Sequence, residues 1–387
     1  MNCIRLISSS RLLNSRSGYR LTRVLAVLVA LAGARGAIAA PEVPWAGKAP
    51  GGEVVRVAVE PPANPRYAHL AWPKAVRTAD GTVVLGYQAG THHGDASCPA
   101  VSRSTDGGKT FTPPQVLKEF GPGLEYSNSG NMALGLAHDG AVVLLSHGHT
   151  GNKTNHIFGW RSADSGQTWT PVNTSALGPN KTGSATGAVV MLPGRKLMVV
   201  GHYREGSTPY QVGIWSSISE DDGLTWGEPA LVNNLNAGEP VVVRHQDRLI
   251  VFIRGRGPAK DRQFASISDD WGKTWRTELL NVQTLGAGAT SLAHPFAMVN
   301  PHQPEEILAV TFERPLPGRA QLWRAPAKTL NFKHDRTLVE LPRIPDDPHT
   351  DFGYAWVVPM EGRRALVFYY HGLGRGSCPI WVIDTQL

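Results

Sequence analysis

One eight-residue pattern occurs four times in this chain and restricts its fold more than any other feature. The pattern S-x-D-x-G-x-T-[W/F] stands at residues 104–111, 162–169, 219–226 and 268–275, with its aspartates at positions 106, 164, 221 and 270. The steps between them are 58, 57 and 49 residues. Repeats of this period mark units that bury their apolar faces only against their neighbours. Asp and Gly suit a tight turn, because the carboxylate accepts nearby backbone N–H groups and glycine takes positive φ. Thr and Trp or Phe then start a returning strand.

Short apolar strands recur between these turns, at 82–87, 141–146, 196–201, 249–253, 307–312 and 365–370. Another strand precedes each of them, for example 188–192 and 240–244. Each unit reads strand, turn, strand, loop, strand, aspartate turn, strand. Composition agrees: 42 Gly, 29 Pro and 11 Trp with only 18% charged residues suit an all-β chain rich in turns. Four-stranded antiparallel units repeated six times predict a six-bladed β-propeller, all in one domain of residues 40–387. Strand 54–59 is expected to complete the last blade and close the ring. Five or seven blades are the alternatives.

Residues 1–39 read as a secretory signal. Arg5, Arg11, Arg16, Arg20 and Arg23 precede an apolar run at 25–34, followed by the A-x-A site Ala37-Ile38-Ala39. The run is too short to span a bilayer comfortably. The expected place is therefore secreted or periplasmic, with no membrane span after cleavage. Removing the six Arg of this segment leaves 32 basic against 31 acidic residues, which gives no case for a nucleic-acid partner. A monomer is expected.

The four motifs resemble the Asp boxes, or BNR repeats, of the sialidase superfamily. In that family the boxes lie on the face away from the active site, so the resemblance gives Asp106, Asp164, Asp221 and Asp270 a structural role. It also implies a Tyr nucleophile helped by Glu, an Asp acid/base and three Arg around the substrate carboxylate. A neutral Tyr suits a carbon that already carries a carboxylate, because a charged nucleophile would be repelled. Arg suits the carboxylate because its planar fork binds two oxygens.

On this resemblance Tyr354 is the nucleophile, Glu239 its partner and Asp95 the acid/base. Arg254, 15 residues after Glu239, and Arg319 are the carboxylate binders. The ends of the second strands add a polar funnel, in which His92, His93, His202 and Tyr203 are candidate substrate contacts. The family's first Arg is missing: Ala71 stands there, with Arg66 or Lys74 as replacements. The pairs His92-His93 and His147-x-His149 match no closed metal site, and no metal or cofactor is expected.

The reading that results is a retaining exo-glycosidase for a terminal sialic-acid-like sugar. A lyase or hydrolase of a uronic-acid polysaccharide is the alternative, suggested by the missing Arg and the many His. A non-catalytic carbohydrate-binding propeller is the third. Cys98 and Cys378 share the frame Ser-Cys-Pro in neighbouring blades, so either a disulfide or two free thiols are expected.

Overall fold

The computed structural model describes residues 46–151 and 154–387; the expected signal, residues 1–39, lies outside the described residues. Among the described residues no helix is long and apolar enough to cross a membrane. The only helices there are three single turns of 3₁₀ type.

The strands form a propeller of six four-stranded blades. Blade I runs over His69–Arg77, Val83–Gly90, Cys98–Ser104 and Gln115–Val116. Blade II takes Asn128–Leu136, Val142–Thr150, Thr154–Ser162 and Thr170–Pro171, and blade III takes Gly183–Leu192, Lys196–Tyr203, Ile214–Ser219 and Ala230–Asn233. Blade IV takes Gly238–His245, Arg248–Arg254, Arg262–Ser268 and Arg276–Gln283. In blade V the inner strand is split into Ser291–Leu292 and Phe296–Asn300, followed by Gln303–Arg314, Gly318–Pro326 and Lys333–Leu341. Blade VI joins Asp351–Pro359, Arg364–Gly372 and Ile380–Gln386 to Val54–Val59.

Counted as hydrogen-bonded sheets there are five rather than six. Blades II and III fuse into one eight-stranded sheet, because their inner strands pair in parallel over Gly187–Val189 and Ala133–Gly135. Gly135 permits that approach: a Cβ on it would lie 2.1 Å from the Val189 carbonyl oxygen. Ring closure follows the expectation, with Val54–Val57 paired antiparallel to Trp381–Asp384.

The aspartate turns explain four blades directly. In blade II, Asp164 Oδ1 accepts from Gln167 N (3.0 Å) and Thr168 N (2.9 Å), and Oδ2 accepts from Thr168 Oγ1 (2.6 Å). Ser162 Oγ donates to Asp164 Oδ1 and accepts from Gly166 N, both at 2.8 Å. The turn glycines sit at φ 83–91° and press on the blade before them. A Cβ on Gly108 would lie 2.3 Å from Leu366, on Gly166 3.1 Å from Val84, on Gly223 3.0 Å from Val143, and on Gly272 2.9 Å from Met198. Each contact partner belongs to the second strand of the preceding blade, so the turns couple blades as well as strands. Blade VI has no such turn because its outer strand comes from the N-terminal segment. Blade V turns instead through 326–330, where Leu330 N donates to Pro326 O.

Cys98 and Cys378 are both free and buried, so the disulfide is not formed. Cys98 Sγ instead accepts from Phe120 N at 3.3 Å.

Candidate active site

The functional residues are placed by a defect that recurs at the same point of the inner strands. The inner strand of five blades loses register with the second strand: between Ala71 and Lys74, Ser129 and Met132, Thr186 and Val190, Gly238 and Val241, and Gly353 and Trp356. In blade V the strand breaks altogether between Leu292 and Phe296, and His294 sits in the break. A bulge re-aims the side chain it carries. Trp72, Glu239 and Tyr354 occupy these bulges at φ 59, 52 and 56°. Such left-handed geometry costs about 1–2 kcal/mol for each non-glycine residue and persists where the surroundings hold it. Trp72, Gly130, Asn131, Glu239 and Tyr354 line one cavity of about 610 Å³.

Of this lining, Glu239 accepts at Oε2 from Arg254 Nη1 at 2.8 Å. Tyr354 hydrogen-bonds the same carboxylate. Burial would raise Glu239, but the Arg254 charge first, with the bonds from Tyr354 and Arg254, holds it well below the carboxylate range. Burial and the Glu239 charge push the Tyr354 phenol well above its ordinary value. The resting pair is therefore a neutral phenol on an ionised carboxylate. The His294 ring lies 4.9 Å from the Tyr354 ring, is fully buried, and is kept neutral first by that burial.

Lys74 stands behind Tyr354. It is wholly buried, with Nζ 5.2 Å from the centre of the Tyr354 ring and 5.2 Å from that of Trp356. Burial pushes the amine down to about 7, against the pull of Glu239. Arg66 does not fill the missing Arg position. Its guanidinium pairs with Glu119 at 2.9 Å and does not line the cavity.

His93, His202 and Tyr203 line the cavity with Glu239 and Tyr354. The Glu239 amide donates to His202 Nδ1 at 3.3 Å, and burial, then Arg256, pushes His202 down to about 3. Burial pushes Tyr203 up to about 12.

Four expected residues stay outside the lining: Arg254, which reaches it only through Glu239, and His92, Asp95 and Arg319. The Asp95 carboxylate accepts from Thr91 Oγ1 at 3.1 Å and lies 3.2 Å from His92 Nε2, so both His92 and Asp95 are engaged within their own tight loop. Arg319 Nε donates to Glu340 at 3.0 Å across the two outer strands of blade V. Besides Arg254, the guanidinium that acts on Tyr354 is that of Arg314, at the end of the second strand of blade V. It bonds the Phe352 carbonyl, lies 5.2 Å from the centre of the Phe352 ring and would lie 3.0 Å from a Cβ on Gly353.

Sequence reading also passed over Trp72, His294 and Asp351 as site residues. A signal for two of them was present. The bulges of blades I and IV and the break of blade V carry Trp72-Pro73, Glu239-Pro240 and His294-Pro295. Proline has no N–H to give a ladder and inside a sheet marks a bulge or an edge.

Among solved structures the chain is similar to a protein of unknown function from Dyadobacter fermentans, at 22% identity and TM-score 0.63, covering 86% of this chain and 99% of that one. It is similar to the NanB sialidase of Streptococcus pneumoniae, at 12% identity and TM-score 0.63, covering 86% and 70%. It is also similar to the α-L-arabinofuranosidase Arb93A of Fusarium graminearum, at 14% identity and TM-score 0.60, covering 89% and 98%. At these identities the likeness is one of fold. No curated protein matches the chain by sequence. The family model of the BNR repeat-like domain matches residues 54–238 and 125–363, and by that match the chain belongs to the BNR repeat-like domain family.

Proposed function

We propose that the protein is an exported retaining glycoside hydrolase acting on a terminal acidic sugar, with Tyr354 as nucleophile. The observation that carries this reading is that two inner-strand bulges bring Tyr354 and Glu239 to line one cavity, with Arg254 bonded to Glu239. Tyr354 Oη attacks the anomeric carbon while its proton passes to Glu239, and the bond to the leaving oxygen breaks. Water then attacks the same carbon, the bond to Tyr354 breaks, and Glu239 returns the proton to the phenol. Two displacements retain configuration. The charge of Arg254 and Arg314 around the phenol opposes the negative charge that develops on it and suits an acidic sugar. Sialidases and an arabinofuranosidase share this fold, and the four Asp-box turns fit the same superfamily.

The test uses the purified protein on a panel of fluorogenic sialosides and uronides. Release of the fluorophore is expected from at least one acidic glycoside. Tyr354→Phe is expected to lose about 10³-fold or more in kcat with its melting temperature unchanged. A Tyr354→Phe variant as fast as wild type would remove the nucleophile from the reading.

The cavity wall between blades III and IV favours one second reading, a uronic-acid polysaccharide as substrate. Arg204 and Arg256 both line the cavity, and their charges repel one another. Among the described residues no carboxylate pairs with Arg256, whose Nη2 lies 3.3 Å from His202 Nε2. A further uronate of a polymer would meet charge there. Ultraviolet absorbance of an unsaturated uronate would identify a lyase; reducing ends without that absorbance would identify a hydrolase.

A further inference from the structure

The hydrolase reading leaves the leaving oxygen without a proton donor, since Asp95 is turned into its own loop. Two residues before it, His93 lines the cavity, half exposed, with its ring edge-on to Trp72 at 5.1 Å. Trp72 in turn lies 6.1 Å from the Tyr354 ring, so one indole touches both His93 and the nucleophile. Behind His93 stands a buried carboxylate. Asp351, at the first position of the blade VI inner strand and three residues before Tyr354, has Oδ2 2.5 Å from His93 Nδ1.

The rest of that carboxylate is also occupied. Tyr370 donates to Asp351 Oδ1 at 3.1 Å, and His69 Nε2 lies 3.4 Å from Oδ2. Burial would raise Asp351, but the bonds from His69 and His93 keep it ionised and well below the carboxylate range. An ionised, buried carboxylate fixed on three sides orients a ring far better than a mobile surface one. With Nδ1 held, Nε2 is the nitrogen left to meet a ligand; among the described residues no protein group bonds it.

We infer that His93, oriented by Asp351, is the general acid and base of this site in place of the aspartate of the resembling family. This rests on the hydrolase reading above. In the first step the His93 Nε2–H proton goes to the glycosidic oxygen as its bond to the anomeric carbon breaks, leaving a neutral imidazole. In the second step Nε2 takes a proton from water as the water oxygen bonds that carbon and Tyr354 departs. The imidazolium is thus regenerated and no other reactant is needed. A cationic donor also suits an acidic sugar, which attracts an imidazolium and gains nothing from a neutral carboxyl group. Asp351 touches no reacting atom and is a positioning residue.

The experiment compares kcat/KM on two glycosides of the sugar that the wild type accepts. One carries an activated aryl leaving group and the other an unactivated sugar alcohol. His93→Ala is expected to lose about 10³-fold on the unactivated substrate and under about 10-fold on the activated one, because only a poor leaving group needs the proton. Added azide should speed His93→Ala on the activated substrate and yield a glycosyl azide of retained configuration. Asp351→Asn should show the same dependence on leaving group, about 10²-fold on the unactivated substrate, with KM unchanged. His93→Gln, which keeps size and polarity, guards against misfolding and should behave as His93→Ala.

Equal losses on both substrates in both His93 variants, or no azide product, would overturn the relay. Tyr354→Phe separates the two claims, since its loss should be alike for both leaving groups and resist azide. If Tyr354→Phe keeps full activity while the His93 variants show the leaving-group pattern, the nucleophile is wrong and the relay stands. A wild type inert toward every acidic glycoside overturns both.

Discussion

At one end of blades I to IV, the repeated aspartate of each turn is held by bonds that reach no farther than four residues along the chain. At the other end of the same blades, the inner strand slips register, and the residue so released is held by partners far away in sequence. Glu239 bonds Arg254 and Tyr354, Tyr354 packs on Trp72 and His294, and Asp351 binds His93. The first end repeats because every copy solves the same problem, closing a hairpin against the blade before it. The second end repeats only in backbone geometry. Its side chains differ from blade to blade, because they converge on one cavity and divide one task. Repeated structural turns and convergent side chains are thus kept at opposite ends of one unit.

Substitutions at the two ends should therefore separate activity from stability. The largest effect is expected at Glu239→Gln, which removes the proton acceptor of Tyr354 and leaves the Arg254 charge largely buried without its partner. The loss in kcat should be about 10²–10⁴-fold. Stability should fall by about 3 kcal/mol, since breaking one half of a buried ion pair strands the other. Urea unfolding and initial rates on the same preparation read both. A variant that keeps its rate would break the division of labour.

Asp164→Ala is the counterpart at the turn end. It removes the acceptor of four short bonds and should cost about 2 kcal/mol in urea unfolding, with kcat and KM unchanged. The turn aspartates also set an acid limit. The Thr168 and Thr274 hydroxyls, with the backbone bonds beside them, hold Asp164 and Asp270 down at about 2. A carboxylate lowered on folding stabilises the fold above its unfolded value of 3.8 and loses that contribution as the pH falls toward 2. The melting temperature should drop across that window, less steeply in Asp164→Ala. Activity lost together with stability in this variant would mean that the two ends are coupled.

The same contrast decides what the sequence could say. The turns are written in eight consecutive residues and the second strands in plain apolar runs, so the propeller class, the strand order and the ring closure followed from spacing. Glu239 and Arg254 were legible as neighbours because they face each other across a single hairpin, but their ion pair was not, since Arg254 was expected to meet a substrate carboxylate. Tyr354 was legible as the start of the last blade. Arg319 and Asp95 lie outside the cavity lining, which the sequence did not show, because side-chain direction at a strand end depends on register, and register at the bulges is set by the partner strand. His294 was hidden by the split inner strand of blade V, which shows no continuous apolar run. Asp351 and His93 are 258 residues apart, and only closing the ring brings them together.

Lys74 offers the finest test of the comparison, because it serves the bulge end without reaching the cavity. Its amine falls from 10.5 to about 7 on folding, mainly through burial. Between those values the unfolded chain holds a proton that the native state has released, so native stability rises with pH across that window. Lys74→Met, similar in length and uncharged, removes this term. Wild type should gain on the variant by about 1 kcal/mol per pH unit as pH rises from 7 to 9, in paired urea titrations. Parallel stability curves for the two proteins would mean that Lys74 stays charged behind Tyr354 throughout. The amine would then be a fixed counter-charge to Glu239, and the bulge end would hold a permanent positive floor rather than a titrating one.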